Sequence, residues 1–174
     1  MCFRDWIIFE QMQKMTVDIR KAQPQDMKGV LTLIKELALF EKEPDEVEVN
    51  VKELEAAGFG ENPQFNCFVA EGNSGIIGIA LVYNRFSTWK GTVLHLEDLI
   101  VSQKHRGKGI GTLLLNEVVK FGYETKVKRI SWEVLDWNEP AINFYESKGA
   151  DVKRDWDVVH LNKNAIENYI KRIN

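Results

Sequence analysis

The sequence predicts an α+β protein in which a mixed, mostly antiparallel central sheet carries helices on both faces. Two observations lead to this prediction. Strand-like segments follow one another through turns in the first half of the chain, whereas strands and helices alternate in the second half. The chain has 174 residues, of which 44% are hydrophobic, and this is enough for one sizeable core. We therefore expect a single domain over residues 15–174, with residues 1–14 as an N-terminal extension.

The regular structure is expected to begin with one strand and two helices. Alternating residues over Val17–Ala22 predict the strand. A helix is expected from Gln25 to about Phe40, because apolar residues recur there at helical spacing. A shorter helix, Val51–Ala57, is expected to end at Gly58, since glycine commonly terminates helices.

Three further strands form the centre of the predicted sheet. Phe65–Glu71 and Ile76–Phe86 are rich in aliphatic and aromatic residues, and the intervening Gly72–Gly75 is a hairpin signal. The next segment, Thr92–Val101, is equally rich in β-branched and aliphatic residues. Residues 87–91 turn the chain back between the last two segments, so these strands are expected to pair antiparallel.

The second half of the chain alternates helices with strands. A helix is expected to begin beside Ile110, where apolar residues start to recur at helical spacing. It is followed by a strand, Arg129–Leu135, and by a helix from about Glu139 to Lys148. A last strand is expected over Trp156–Leu161 and a terminal helix over Asn164–Ile170.

The most informative stretch is the turn Arg106–Gly111, Arg-Gly-Lys-Gly-Ile-Gly, which lies between a predicted strand and a predicted helix. Free N–H groups at the positive end of a helix bind phosphate, and glycine allows the backbone to approach it closely. A P-loop is excluded because the turn has no Lys-Ser or Lys-Thr pair, and the glycine spacing does not fit the dinucleotide fingerprint. Two interpretations remain open here: a pyrophosphate-binding loop, or a basic turn that only joins two elements.

Composition and charge argue against several classes of function. The net charge of −3 and the pI of about 5.7 do not suit a nucleic-acid-binding protein. No apolar run approaches the ~20 residues that span a bilayer, so we expect a soluble, cytoplasmic protein. Cys2 and Cys67 form no CxxC pair and the three histidines are scattered, which indicates neither a disulfide framework nor a zinc site. No metal cofactor is expected.

Several strings resemble one enzyme superfamily. The glycine loop is similar to the pyrophosphate-binding loop of the GNAT acetyltransferases, which holds acetyl-coenzyme A. Four further strings resemble the diamine branch of that superfamily, with its spermidine/spermine and thialysine acetyltransferases: Leu33–Ala38, Gly58–Glu61, Leu96–Asp98 and Asn138–Tyr145. The resemblance covers residues from about 15 to 156. It implies a GNAT fold, acetyl-coenzyme A as co-substrate, a small cationic amine as acceptor, and a homodimer.

The expected reaction needs a base and an acid. A lysine-like amine has a pKa near 10.4, so only about one molecule in 2,500 is neutral at pH 7 and able to attack a thioester. A carboxylate that reaches the amine, directly or through water, can remove its proton. A phenol beside the departing sulfur can supply a proton to the thiolate. One carboxylate and one phenol are sufficient.

Tyr145 is the candidate phenol. Asn138 occupies the position of a helix cap, with Pro140 in the first turn. Ala141, Tyr145 and Lys148 then share one helix face. The resemblance implies that Tyr145 is the general acid, and the alternative is an ordinary packed aromatic residue.

Glu97 is the candidate carboxylate. Asp98 follows it in a strand, so the two side chains are expected to point to opposite faces and not to share a proton. The resemblance implies that Glu97 faces the acceptor amine as base or anchor. Just beyond, the backbone groups of Leu99 and Val101 can pair with the pantetheine arm as an added strand would.

The resemblance also implies the residues that bind the two substrates. Its cofactor-binding set is Leu99, Ile100, Val101, Arg106, Gly107, Lys108, Gly109, Ile110, Gly111, Thr112, Asn138, Ala141 and Lys148. Its substrate-binding set is Phe40, Glu41, Trp89, Asp98 and Glu133. Phe40 and Glu41 end the first helix, where the acid-rich residues 41–55 begin; such a charge run is otherwise a solvated surface.

Trp89 is expected to cover an ammonium group with its aromatic face. It resembles the thialysine side of the branch, because Thr88 stands where polyamine-acetylating members tend to carry an acid. We therefore expect a short amine with one distal charge rather than a long polyamine. Two other functions remain open: acetylation of a protein or peptide amine, and non-catalytic binding of coenzyme A.

Overall fold

The computed structural model describes residues 16–173, so the predicted N-terminal extension, residues 1–14, lies outside the described residues. The described chain consists of two compact units that divide after Glu133. The single domain predicted over residues 15–174 stays a prediction. No helix within residues 16–173 is both long enough and apolar enough to cross a membrane.

The first unit is built around a mixed sheet. Its strands, within the described residues, are β1 (Asp18–Lys21), β2 (Asn66–Gly72), β3 (Gly75–Ser87), β4 (Gly91–Val101) and β5 (Ile130–Ser131). Its longer helices are α1 (Met27–Phe40), α2 (Val51–Phe59) and α3 (Ile110–Glu124). The strands lie in chain order; β1 to β4 pair antiparallel and β5 pairs parallel with β4. The predicted α+β class and mostly antiparallel sheet are confirmed.

Helices pack on both faces of this sheet. On one face, Val30 of α1 joins a buried cluster with Val69 and Ile79 of the sheet. On the other face, Phe121 of α3 packs edge to face on Phe68, with the ring centroids 5.8 Å apart. Phe68 and Val69 are neighbours in β2 and therefore point to opposite faces, so the strand supplies both cores.

The fifth strand is shorter than predicted. A strand was expected over Arg129–Leu135, but only Ile130–Ser131 pairs with β4, opposite Leu94 and His95. Beyond His95, β4 pairs with β3 alone within the described residues. The sequence is apolar enough for a longer strand, but after Ser131 the chain no longer pairs with β4. This leaves one edge of β4 open towards its carboxyl end.

Helix α2 does not end at Gly58 as predicted. It continues to Phe59, and the N–H of Gly60 donates to the carbonyl of Ala56 over 3.0 Å. A Cβ at position 58 would lie 2.8 Å from the ring of Phe65. Glycine is therefore placed there for close packing against an aromatic ring rather than for helix termination.

The second unit contains α4 (Glu139–Glu146) and α5 (Lys163–Ile173). The strand predicted over Trp156–Leu161 is wrong, because this segment pairs with no strand in the described residues. Trp156 is 72% exposed and Val159 is 86% exposed. Alternation of residue types predicts a strand only where a neighbouring strand is available to pair, and none is available here.

Candidate active site

The loop between β4 and α3 has the backbone that the sequence predicts for it. Gly107 and Gly109 have φ angles of 73° and 80°, in the left-handed region that favours glycine. No atom lies within 4 Å of a Cβ built on either residue, so the space beside the loop is open. The N–H of Leu113 donates to the carbonyl of Gly109 over 3.1 Å and begins α3.

The donors of this loop are available to an anion. Within the described chain, none of the backbone N–H groups of residues 107–112 donates to another backbone group. Residues 107–109 are exposed, and the free N–H groups point away from the start of a 15-residue helix. This combination of open space, free donors and a positive helix end fits a pyrophosphate group.

Arg106 connects the loop with the end of α1. Its Nε donates to the carbonyl of Val101 over 2.9 Å, and its Cζ lies 5.3 Å from the ring centroid of Phe40. One turn earlier in α1, Glu36 accepts the N–H of Gln103 through Oε1 over 2.7 Å. A residue predicted to bind the cofactor and one predicted to bind the amine are thus neighbours. The sequence argument missed Glu36, although this residue lies inside one of the strings that carried the resemblance.

The carboxyl-terminal half of β4 has an open edge beside this loop. Leu99, Ile100 and Val101 lie past the last residue that pairs with β5. Ile100 is buried in the core against α1, whereas Leu99 and Val101 are half-buried. Since the Val101 carbonyl accepts Arg106, the remaining backbone groups of this edge are the ones that can pair with an extended ligand.

A β-bulge places Glu97 and Asp98 on the same face of the sheet. Leu81 pairs with Asp98 and Val82 pairs with Leu96, so Glu97 has no partner in β3. Paired residues share a face, and the neighbours Leu81 and Val82 lie on different faces, so Asp98 lies on the other face from Leu96. Glu97 also lies on the other face from Leu96, because it is the next residue in the strand. The expectation of opposite faces is wrong because the extra residue resets the alternation of the strand.

The end of α1 brings a third carboxylate to this face. Burial, followed by the charges of Glu97 and Glu41, raises the pKa of Asp98 to about 6. Glu41 ends α1, and partial shielding by the protein raises the pKa of its carboxyl as well. Because a charge acts on the pKa of another group only over a short distance, Glu41 and Glu97 both lie near Asp98. The structure thus brings together Glu41, Glu97 and Asp98, which would all be stabilised by a cation.

Two aromatic groups that the sequence argument missed flank Glu97. Oε2 of Glu97 lies 3.6 Å from Nε2 of His95, and burial together with the nearby charge of Glu97 raises the pKa of Tyr83. The charge of Glu133 also acts on both aromatic groups, so this predicted substrate residue lies in the same neighbourhood. His95 could have been found from its position two residues before Glu97. Tyr83 is found only from the pairing of β3 with β4.

The second unit carries the predicted phenol on α4. Tyr145 is buried, and this burial raises its pKa to about 12. The predicted cap is confirmed, since Oδ1 of Asn138 accepts the N–H of Ala141 over 3.4 Å. The helix ends two residues earlier than predicted, so Lys148 lies in the following turn, with its Nζ 5.8 Å from the ring centroid of Phe144.

Trp89 is not brought to the acidic face within one chain. It lies at the tip of the β3–β4 hairpin and is 80% exposed. The stretch of β4 between Gly91 and Glu97 corresponds to roughly 20 Å at the usual rise per residue. An aromatic cover for an amine held by Glu97 is therefore not supplied by Trp89 of the same chain.

Comparison with known proteins identifies the family. A family model described as the Acetyltransferase (GNAT) family matches residues 31–150. The chain belongs to the GNAT acetyltransferases. An integron cassette protein from the mobile metagenome of V. cholerae shares the GNAT fold, with a TM-score of 0.73 and 23% identity over 90% of this chain and 99% of that one.

Two curated relatives define the branch of this GNAT acetyltransferase. A thialysine N-epsilon-acetyltransferase from Bos taurus is 38% identical over 142 residues, which are 77% of this chain and 84% of the relative. Spermidine/spermine N(1)-acetyltransferase-like protein 1 from Homo sapiens is 35% identical over 158 residues, which are 85% of this chain and 23% of the relative. The predicted diamine branch is confirmed, and so is the predicted enzyme class, an acetyl-coenzyme A-dependent amine N-acetyltransferase.

Proposed function

We propose that this enzyme transfers the acetyl group of acetyl-coenzyme A to the primary amine of a small cationic substrate such as thialysine, a diamine or a polyamine. Glu97 acts as base or amine anchor and Tyr145 as general acid. The observation that carries the proposal is the shared face of Glu97 and Asp98, with Glu41 near enough to raise the pKa of Asp98. A face with three carboxylates favours a substrate with more than one positive charge.

The glycine loop supports the choice of co-substrate. Acetyl-coenzyme A, when bound, supplies an activated acetyl group and a thiol as leaving group. We expect the N–H groups of residues 107–112 to donate to its pyrophosphate, and Lys108 to add a positive charge. The open edge of β4 at Leu99 and Ile100 is available for backbone pairing with the pantetheine arm. Asn138, Ala141 and Lys148 are proposed to line the same arm.

The two catalytic roles follow from the state of each side chain. Glu97 is half-exposed and lies on the acidic face, so its carboxylate can reach an incoming ammonium and remove a proton. Tyr145 has a pKa of about 12, so its hydroxyl stays protonated at neutral pH and can donate to the departing sulfur. Phe40, Glu41, Asp98 and Glu133 are proposed to hold the charged remainder of the amine.

We expect a short amine with one distal charge to be preferred over spermine. Thr88 supplies no acid beside Trp89, and the hairpin tip lies along the strand away from Glu97. Only the carboxylates of the acidic face then hold the amine, and these are clustered rather than spread along a channel. A long polyamine would leave its outer ammonium groups without partners.

We also propose that the enzyme is a homodimer. The described residues from Trp156 to Ile173 expose an unusual number of apolar side chains, among them Val159, Leu161 and Tyr169. Exposed apolar surface of this extent is typical of a protein–protein contact. Light scattering should give twice the 20.1 kDa mass of one chain at micromolar concentration, and a monomer mass would contradict the dimer.

A panel of acceptors tests the proposed function directly. Thiol release from acetyl-coenzyme A should be measured with thialysine, lysine, putrescine, spermidine, spermine and a lysine-containing peptide. Glu41→Gln should raise the Michaelis constant for the best small amine ~30-fold or more and leave that for acetyl-coenzyme A unchanged, because a charge partner is lost. Glu43→Gln, an exposed acid two residues away, is the matched control. A peptide as the best acceptor would overturn the small-amine assignment.

A further inference from the structure

His95 is a buried histidine that the proposed chemistry does not yet use. It lies in β4 two residues before Glu97, and its side chain is on the same face because the alternation is regular up to the bulge. Only 7% of the residue is exposed. Its Nε2 lies 3.6 Å from Oε2 of Glu97. The imidazole is therefore the buried neighbour of the carboxylate that is proposed to contact the amine.

Tyr83 holds the imidazole from the adjacent strand. It is the partner of His95 in the pairing of β3 with β4, and the two ring centroids are 5.1 Å apart with an angle of 43° between the planes. Its hydroxyl lies near enough to Glu97 for this carboxylate to contribute, after burial, to the raised pKa of Tyr83. Glu97 is thus flanked by one phenol and one imidazole, each fixed by regular strand pairing.

Burial of His95 favours a neutral ring that can accept a proton. Burial has the largest effect and lowers the pKa of His95, and Arg85 lowers it further. Glu97 and Glu133 act in the opposite direction. The ring is therefore neutral at pH 7, while two carboxylates lie near enough to stabilise a transient positive charge on it.

The second ring nitrogen leads away from Glu97. Nδ1 of His95 has no hydrogen-bond partner in the described part of the chain, and neither has the buried Oγ of Ser131. Ser131 is the partner of His95 in the parallel pairing of β4 with β5. Paired residues of adjacent strands share a face, so Ser131 lies on the same face of the sheet as His95. With Nδ1 as the protonated nitrogen, the neutral ring keeps Nε2 available to accept a proton on the side of Glu97.

We propose that His95 positions Glu97 and takes over the proton that Glu97 removes from the amine, an inference that rests on the proposed role of Glu97. An N–H bond of the ammonium breaks as an O–H bond forms on Glu97. This O–H bond breaks as Nε2 of His95 binds the proton, which restores the carboxylate and leaves an imidazolium. The imidazolium then gives the Nε2 proton to water as the product leaves, while Nδ1 keeps its own proton, so the ring returns to the tautomer in which it began.

The direction of this transfer agrees with ordinary acid–base chemistry. Imidazole is a stronger base than a carboxylate by about two pKa units in water. Burial reduces this difference but the two neighbouring carboxylates restore part of it. Glu97 is therefore returned to its ionised form within each turnover, while the proton moves away from the acetylated product.

The test compares His95→Gln with the unmodified enzyme, using the best small amine and pH values from 5 to 9. Glutamine keeps a polar side chain beside Glu97 but cannot carry a proton. We expect kcat to fall 10-fold or more while the Michaelis constant for the amine changes less than 3-fold. The acid limb of the kcat profile should move to lower pH, because only carboxylates remain to titrate. His160→Gln, at an exposed position, is the matched control.

Each outcome decides between the relay and a structural role. An unchanged kcat and an unchanged pH profile for His95→Gln overturn the proposed role of His95. If Glu97→Gln is inactive in the same assay, the proposed function still holds. A fully active Glu97→Gln variant overturns both. If His95→Gln does not fold, NMR titration of His95 decides: its pKa should fall in Glu97→Gln because a stabilising charge is lost, and an unchanged titration overturns the proposal.

Discussion

The guanidinium of Arg106 lies over the ring of Phe40, with its Cζ 5.3 Å from the ring centroid. One residue comes from the glycine loop and the other from the last turn of α1, directly before Glu41. A single contact therefore joins the loop proposed for acetyl-coenzyme A to the end of the helix proposed for the amine. A change at the end of α1 should therefore alter the affinity of the loop for acetyl-coenzyme A.

Phe40→Leu tests this connection. A cation–π contact at a partly exposed site contributes about 0.5–1 kcal/mol, so its loss should weaken acetyl-coenzyme A binding ~2–5-fold. Isothermal titration gives the dissociation constant. Phe59→Leu is the control, because Phe59 has nearly the same exposure, 37% against 36% for Phe40, but lies at the end of α2. Equal effects of the two variants would disprove the link.

Gly109→Val should abolish acetyl-coenzyme A binding. A β-branched residue is strained at a φ of 80° and would turn the loop N–H groups away from an anion. Gly91→Val is a close control, since Gly91 has a φ of 79° and equally open surroundings but lies in the β3–β4 hairpin. At a hundredfold excess over its dissociation constant, the ligand should stabilise the Gly91 variant by ~2.7 kcal/mol and the Gly109 variant not at all. Equal thermal shifts in both variants would show that the loop does not bind acetyl-coenzyme A.

Tyr145→Phe should lower kcat ~10²-fold without loss of acetyl-coenzyme A binding, because only the hydroxyl is removed. Since burial raises the pKa of Tyr145 to about 12, its ionisation should produce no alkaline limb in the kcat profile below pH 10. Tyr123→Phe, at a residue that is exposed on α3, provides the control. Near-normal turnover of the Tyr145 variant would show that the thiolate leaves unaided.

Asp98→Asn tests the electrostatics of the acidic face. Asp98 has a pKa of about 6 in the folded protein, above its usual value, so the folded state binds more protons than the unfolded state between about pH 4 and 6. Stability from this group therefore falls as the pH rises through that window. The Asn variant should gain on the order of 1–3 kcal/mol of unfolding free energy at pH 8 and little at pH 4. Urea unfolding at both pH values measures this.

The Asp98→Asn variant should gain stability but bind the amine more weakly. Ionised Asp98 attracts a cation, so the Michaelis constant for the amine should rise in the unmodified enzyme as the pH falls through about 6. In Asp98→Asn the constant should be higher and should lose this pH dependence. Asp45→Asn, in an exposed part of the acid-rich segment, is the control for both experiments. If the Asn variant is folded and its Michaelis constant for the amine keeps the value and the pH dependence of the unmodified enzyme, Asp98 lies outside the amine site.

Much of the fold follows from the sequence, because local patterns determine it. The apolar stripe of α1, the hairpin at Gly72–Gly75 and the glycines before α3 all report on their own backbone. The errors have another origin. The length of β5, and whether residues 156–161 form a strand, depend on whether a neighbouring strand is present to pair. No local sequence pattern shows whether such a neighbour is present.

The site divides in the same way. The residue types of Glu97, Asp98 and the glycine loop were readable from the sequence, whereas their arrangement was not. Regular alternation puts Glu97 and Asp98 on opposite faces, and the bulge depends on the register between β3 and β4. Trp89 had a suitable ring for a cation, but the length of a strand separates it from the acidic face.

The bulge at Glu97 also means that β4 carries one residue more than regular pairing with β3 requires. The residues before it and after it follow two alternations that differ by one position. Deleting Glu97 would merge the two alternations and leave every other residue of the strand on its present face, because Leu96 and Asp98 already lie on opposite faces. Loss of this single codon should therefore be tolerated by the sheet, whereas the acidic face would lose the carboxylate on which the proposed chemistry depends.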